Sequence, residues 1–142
     1  MDIVVLVKQV PDTESLVQIA DDGVSIKTQD IKWIMNPYDE LAVEAALQIK
    51  EAQGGTVTIL SLGPDKAIEA IRTALAMGAD EALRLWDEAF VDSDCMGIAR
   101  VLAKEIGSRE VDCVLTGALA EDEGWAQVGG LLAALLDLPC AS

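Results

Sequence analysis

The sequence predicts a three-layer α/β/α domain built on a parallel sheet, and three features of it carry that prediction. Short apolar runs rich in Val, Ile and Leu alternate with helix-length amphipathic stretches, the pattern of repeated strand–helix units. The first run, Ile3-Val4-Val5-Leu6-Val7, is apolar without interruption, as expected of a parallel strand buried on both faces. The helical stretches open on capping residues and close on glycines.

Each element has its own signal. After the first strand, Leu16-Val17-Gln18-Ile19 and Val24-Ser25-Ile26 flank the turn Ala20-Asp21-Asp22-Gly23, which predicts an inserted β-hairpin. Asn36-Pro37 supplies an N-cap and a proline at the first helical position. Asp39 stands at N3 in the manner of a capping box, and Gly54 closes that helix. Val57-Thr58-Ile59-Leu60 is the second strand. Gly63-Pro64 opens a helix with Ile68, Ile71 and Leu75 on its inner face and Gly78 at its end. Ala82 to Trp86 is the third strand. Asp92 or Ser93 opens the next helix, with Ile98, Val101, Leu102 and Ile106 at core spacing before Gly107. Val111 to Leu115 is the fourth strand. A fourth helix from about Glu123 to Leu136 packs Val128, Leu131, Leu132 and Leu135.

Pro139-Cys140-Ala141-Ser142 follows where a further strand is expected. The expectation is one domain over residues 1–142, truncated at its C-terminus or completed by a strand from elsewhere. An uncovered sheet edge predicts self-association, as a two-fold homodimer because an isologous contact closes on itself.

Composition narrows the function. Among 142 residues, 10 Lys plus Arg stand against 25 Asp plus Glu, a formal charge of −15 with no histidine. Such a surface repels polyanions, which argues against nucleic-acid binding and against anionic membranes. Without histidine there is no Ser-His-Asp triad, no Cys-His dyad and no histidine zinc site. Cys95, Cys113 and Cys140 are widely spaced and form no C-x-x-C pair, so no metal site is expected. They suit a reducing cytosol, with Cys113 as a small apolar strand residue. No apolar run reaches the about 18 residues needed to span a bilayer, which together with the cysteines predicts a cytoplasmic protein.

The standard phosphate loops, G-x-G-x-x-G and G-x-x-x-x-G-K-[ST], are absent. The strongest local signal follows the fourth strand, from Gly117 to Gly129: a glycine at the strand exit, a polar loop and a helix start with exposed N–H groups. Its acidic run Glu121-Asp122-Glu123 reads as a charged cap on a solvated helix end. Lys8 stands at the end of the first strand, where open α/β sheets bind ligands, or simply snorkels there. Trp125 either packs as a half-buried aromatic or lies beside a ligand ring. Asn36 reads as an N-cap.

Five blocks in this chain resemble the β subunits of electron transfer flavoproteins. They are Val5-Leu6-Val7-Lys8-Gln9-Val10-Pro11-Asp12-Thr13, Asn36-Pro37-Tyr38-Asp39-Glu40 leading to Glu44-Ala45-Ala46-Leu47, and Gly63-Pro64. Ile71 to Asp80 and the loop with Gly117, Ala120, Asp122, Gln127 and Gly129 complete the set, in family order. The resemblance implies an adenine-nucleotide-binding three-layer fold that pairs with an α subunit carrying the main FAD. Through that complex, electrons pass from flavin dehydrogenases to an acceptor, so the domain is an electron-transfer component rather than an enzyme. Most members bind AMP in this domain, whereas bifurcating and FixA-type members place a second FAD there. By resemblance the contacts map to Leu6, Val7 and Lys8, to Asn36, Pro37, Tyr38 and Asp39, and to Leu62. The loop adds Gly117, Ala118, Leu119, Ala120, Asp122, Trp125, Ala126, Gln127 and Val128, its backbone amides holding phosphate.

Ala126-Gln127-Val128-Gly129 matches the end of the bifurcating D-G-D-T-A-Q-V-G pattern, but Trp125 stands where that pattern has threonine. The change removes one phosphate hydrogen bond, worth roughly 1.5–3 kcal/mol, and leaves AMP and FAD both open. The chain is also a little over half the length of a family member, and the C-terminal half would carry the partner-recognition loop. The alternative reading is an adenine-nucleotide-binding regulatory module of universal-stress type. Against it stand the absence of a Ser/Gly-rich loop after the first strand and Gly124-Trp125 in place of glycine-rich phosphate contacts.

Overall fold

The computed structural model describes all residues, Met1–Ser142. Four parallel strands form the central sheet: β1 (Asp2–Leu6), β4 (Thr56–Leu62), β5 (Glu81–Leu85) and β6 (Cys113–Leu115), in the order β5-β4-β1-β6. Asp2 pairs with Thr56 and Leu6 with Leu60 on one side of β1, while Ile3 pairs with Cys113 and Val5 with Leu115 on the other. The chain steps from β1 outward to β5 and then crosses back to place β6 on the far side of β1. That reversal makes the carboxyl ends of β1 and β6 the switch point of the sheet.

The apolar run of β1 is buried on both faces, as its composition requires. Ile3, Val5 and Val7 join Val57, Ile59, Val43 and Ala74 beneath α1 (Pro37–Gln53) and α2 (Ile68–Met77). Val4 and Leu6 join Leu60, Leu102, Ile106 and Leu132 beneath α3 (Cys95–Ile106) and α4 (Val128–Leu136). These two aliphatic layers are the core, and the three-layer α/β/α architecture follows from them.

Four local readings are corrected. The inner face of α2 is Ala70, Ile71 and Ala74, with Ala67 buried just before it, whereas Leu75 is 38% exposed and Ile68 only half-buried. The alanines let the helix approach the sheet closely, a face that counting large side chains overlooks. The helix α3 opens on Asp94, whose carboxylate accepts from the Gly97 N–H at 2.8 Å, rather than on Asp92 or Ser93. The inserted hairpin narrows to one antiparallel bridge, Ile19 with Ile26. The regular ribbon lies outside it, between β2 (Gln9–Pro11) and β3 (Trp33–Met35). Finally, α4 begins at Val128, five residues later than expected, because Gly124 (φ +66°) and Ala126 (φ +53°) are left-handed and stop a helix from forming earlier.

Candidate functional site

The first turn of α1 is built to reach across the switch point. Asn36 precedes Pro37, which holds it extended at ψ 126°, and its side chain makes no cap to its own helix. Instead Asn36 Nδ2 donates to the Leu119 carbonyl at 2.8 Å, and Oδ1 accepts from the Glu121 N–H at 3.2 Å. Its own N–H donates to the Lys8 carbonyl at 2.9 Å. A residue read as an N-cap is therefore a buried tie, 1% exposed, between the end of β1 and the loop after β6. Both halves of its amide are satisfied.

Asp39 forms a second tie. Its Oδ2 accepts from the Lys8 N–H at 2.7 Å, and the Gly117 amide faces the same carboxylate. Burial pushes its pKa up to about 6 against these hydrogen bonds. Gly117 is required by this packing: a Cβ there would collide with the Asp39 carboxylate and the backbone of Tyr38–Asp39.

Lys8 is the third tie. Its Nζ stands 2.8 Å from Asp122 Oδ1 and 2.9 Å from Glu123 Oε2. Burial alone would lower the pKa of this ammonium, but its hydrogen bonds to both carboxylates outweigh burial and hold it above the ordinary value. The acidic run is thus no cap on α4, which starts beyond it, but the counter-charge of Lys8.

Between these ties lies a cleft at the carboxyl ends of β1, β4 and β6, the position at which open α/β sheets take ligands. Of the residues singled out by sequence, Leu6, Val7, Lys8, Asn36, Asp39 and Leu62 line it from the β1, α1 and β4 side. Gly117, Ala118, Leu119 and Ala120 line it from the β6 exit, and Trp125, Ala126, Gln127 and Val128 from the approach to α4. Pro37, Tyr38 and Asp122 lie outside its walls, with Asp122 reaching the mouth only through Lys8. Trp125 lies in the loop rather than in the fourth helix, 48% exposed. Sequence reading overlooked Cys95, Ile98 and Leu102 of α3, together with Leu60 and Thr116, whereas Glu123 and Gly129 fall within the loop it singled out. The signal for α3 was present, because each crossover helix of such a sheet starts at the carboxyl edge of the strands. Burial, with Glu123 and Asp94 nearby, pushes the Cys95 thiol up, so it is held as a neutral wall residue.

The chemistry of the lining suits an anion attached to an apolar body. The amides of Val128, Gly129 and Gly130 find no backbone acceptor, and Gln127 provides no side-chain cap. The amides of Ala118, Leu119 and Ala120 are likewise without a backbone acceptor. Uncapped N–H groups at a helix start favour negative charge. Leu6, Leu60, Leu62, Ile98 and Leu102 supply aliphatic walls of the kind that accept a planar ring.

Fold and cleft together define an α/β domain of the doubly wound type, with a cleft at the switch point. The chain matches the family described as electron transfer flavoprotein domain over residues 23–142, and it belongs to the electron transfer flavoprotein family. It is 45% identical over 139 residues to the electron transfer flavoprotein subunit beta of Thermoanaerobacterium thermosaccharolyticum, covering 98% of this chain and 53% of that protein. The corresponding subunit of Bacillus subtilis is 42% identical over 146 residues, 99% of this chain and 54% of that one. Protein FixA of Sinorhizobium fredii is 40% identical over 143 residues, 97% of this chain and 50% of that one. The chain spans about half the length of the curated relatives it matches. No helix is long and apolar enough to cross a membrane.

Proposed function

We propose that this chain is the nucleotide-holding domain of a β-type electron transfer flavoprotein subunit. In this reading the cleft takes AMP or FAD, and the domain pairs with an α subunit that carries the main FAD. The complex passes electrons between flavin dehydrogenases and an acceptor. The observation that carries the reading is the switch-point cleft whose loop, pinned by Asn36 and Asp39, runs into the uncapped start of α4. The relatives named as subunit beta supply its electron-transfer context. The amides of Val128, Gly129 and Gly130 would hold phosphate, and the aliphatic walls a ring; Gln127 stands at the helix start between them.

Binding to the folded state alone raises the melting temperature. AMP or FAD at millimolar concentration is therefore expected to raise that of this chain by several degrees. Gln127→Ala should shrink the shift, and Asp122→Asn should not abolish it. No shift with AMP, ADP, ATP or FAD would overturn the assignment.

Self-association is proposed on the outer edge of β6, which pairs with no strand. The formal charge of −15 opposes it, but only within a Debye length of about 8 Å at physiological salt. Light scattering should report a dimer, most clearly at high salt. A monomer at both low and high salt would remove β6 as a pairing edge.

A further inference from the structure

Lys8 is the one cationic side chain lining the cleft, and it is not free to meet an anion. Asp122 and Glu123 both hold its ammonium, and both come from the loop that closes over the end of β1. One positive charge against two negative ones leaves the mouth net negative, and Asp39 at its floor adds to this when ionised. We propose that Lys8, Asp122 and Glu123 form a charge latch that sets which nucleotides the cleft accepts. The latch admits phosphate groups of two charges, those of a nucleoside monophosphate or of a dinucleotide's pyrophosphate bridge, which the loop amides can balance, and penalises the more highly charged nucleoside di- and triphosphates.

The proposal deepens the nucleotide reading above and rests on it. Its physical content is a competition for one ammonium. A phosphate entering near Lys8 must either displace a carboxylate from it or accept repulsion from two. The repulsion grows with each added phosphate charge, whereas the number of loop amides does not. The ion pair is half-exposed, with side-chain exposures of 37% for Lys8, 23% for Asp122 and 47% for Glu123, so it can exchange partners without a buried charge being stranded.

Titration calorimetry of the full chain with AMP and with ATP, at low and at physiological salt, tests this. The wild type should bind AMP more tightly than ATP, and its affinity for ATP should rise with salt, because screening weakens a net repulsion. In Asp122→Asn/Glu123→Gln the ammonium is released and the repulsion removed. That variant should bind ATP about ten-fold and AMP about three-fold more tightly. Its ATP affinity should now fall with salt. Lys8→Met should weaken both nucleotides, and Lys8→Arg should restore them. The reversal of salt dependence is a readout that a merely structural role for these residues would not move. An unchanged ATP-to-AMP ratio and an unchanged salt response in the double variant would overturn the latch while leaving nucleotide binding standing. No binding of AMP, ATP or FAD to any of these proteins would overturn both.

Discussion

Gly117→Ala is expected to destabilise the fold by about 3 kcal/mol, combining overpacking with the loss of a buried hydrogen bond. The added methyl would have to occupy space taken by the Asp39 carboxylate, the Asp39 nitrogen and the Tyr38 carbonyl carbon, the last two 3.0 Å from it. Those backbone atoms belong to the first turn of α1, which Pro37 and Asn36 hold in place, so they cannot yield as a flexible side chain would. Displacing Asp39 would also strip the Lys8 N–H of its acceptor. Two other glycines calibrate the result. At Gly130 a Cβ meets nothing within 4 Å and φ is not left-handed, so Gly130→Ala should be neutral or stabilising by roughly 0.5–1 kcal/mol. At Gly124 space is open but φ is +66°, so alanine should cost about 1 kcal/mol through backbone strain alone. Urea unfolding followed by circular dichroism gives all three values. A Gly117→Ala protein as stable as the wild type would mean that α1 is not seated against the loop.

The order of these three glycines was only partly legible in the sequence. Gly117 stood out as a strand exit, yet nothing in a linear string says that Asp39, far upstream, fills the space beside it. The same limit explains Asn36 and Asp39, whose spacing matches a capping box. Local hydrogen-bonding groups were read as serving the local helix, but the crossing of the chain at β1 and β6 offered them the buried amides and carbonyls of a distant loop. The four strands of the central sheet, by contrast, were legible, since a run such as Ile3–Val7 has no stable place except between two helical layers, whereas the short ribbon of β2 and β3 was not. The start of α4 was missed for a different reason. Glu121, Glu123, Ala126 and Gln127 are good helix formers, but the left-handed backbone at Gly124 and Ala126 keeps the segment a loop, in which Asp122 and Glu123 pair with Lys8. The cleft's position at the switch point follows from topology. Its α3 wall could have been inferred from the same topology.

The stability of the wild type is expected to fall, relative to Asp39→Asn, as pH rises from about 4 to about 7. The cause is one buried carboxyl group. Asp39 is 6% exposed, and burial raises its pKa to about 6 in the folded protein, while the unfolded value is the ordinary one near 4. The sign follows from proton binding. Between these two values the folded state holds the proton and the unfolded state does not, so raising the pH drains stability. Integrated, Asp39 contributes roughly 1 kcal/mol of loss between pH 5 and pH 7 and about 2 kcal/mol between pH 4 and pH 7. The facing groups do not mask this: the Lys8 and Gly117 amides and the Asn36 side chain do not titrate, and the Lys8 ammonium stays charged throughout. Asp12, Asp22 and Asp80 are shifted the opposite way, Asp22 to about 2, so their stabilising contributions are lost only as pH falls through and below about 4. Self-repulsion of the acidic surface is common to wild type and variant and cancels in the difference. Asparagine keeps the acceptor for the Lys8 N–H but places an N–H₂ toward the Gly117 amide, so the variant carries a constant cost and no slope. Urea unfolding of both proteins at several pH values separates the two effects. Parallel curves across this interval would show that Asp39 is ionised with its ordinary pKa, and hence that the floor of the cleft is wetter than its burial indicates.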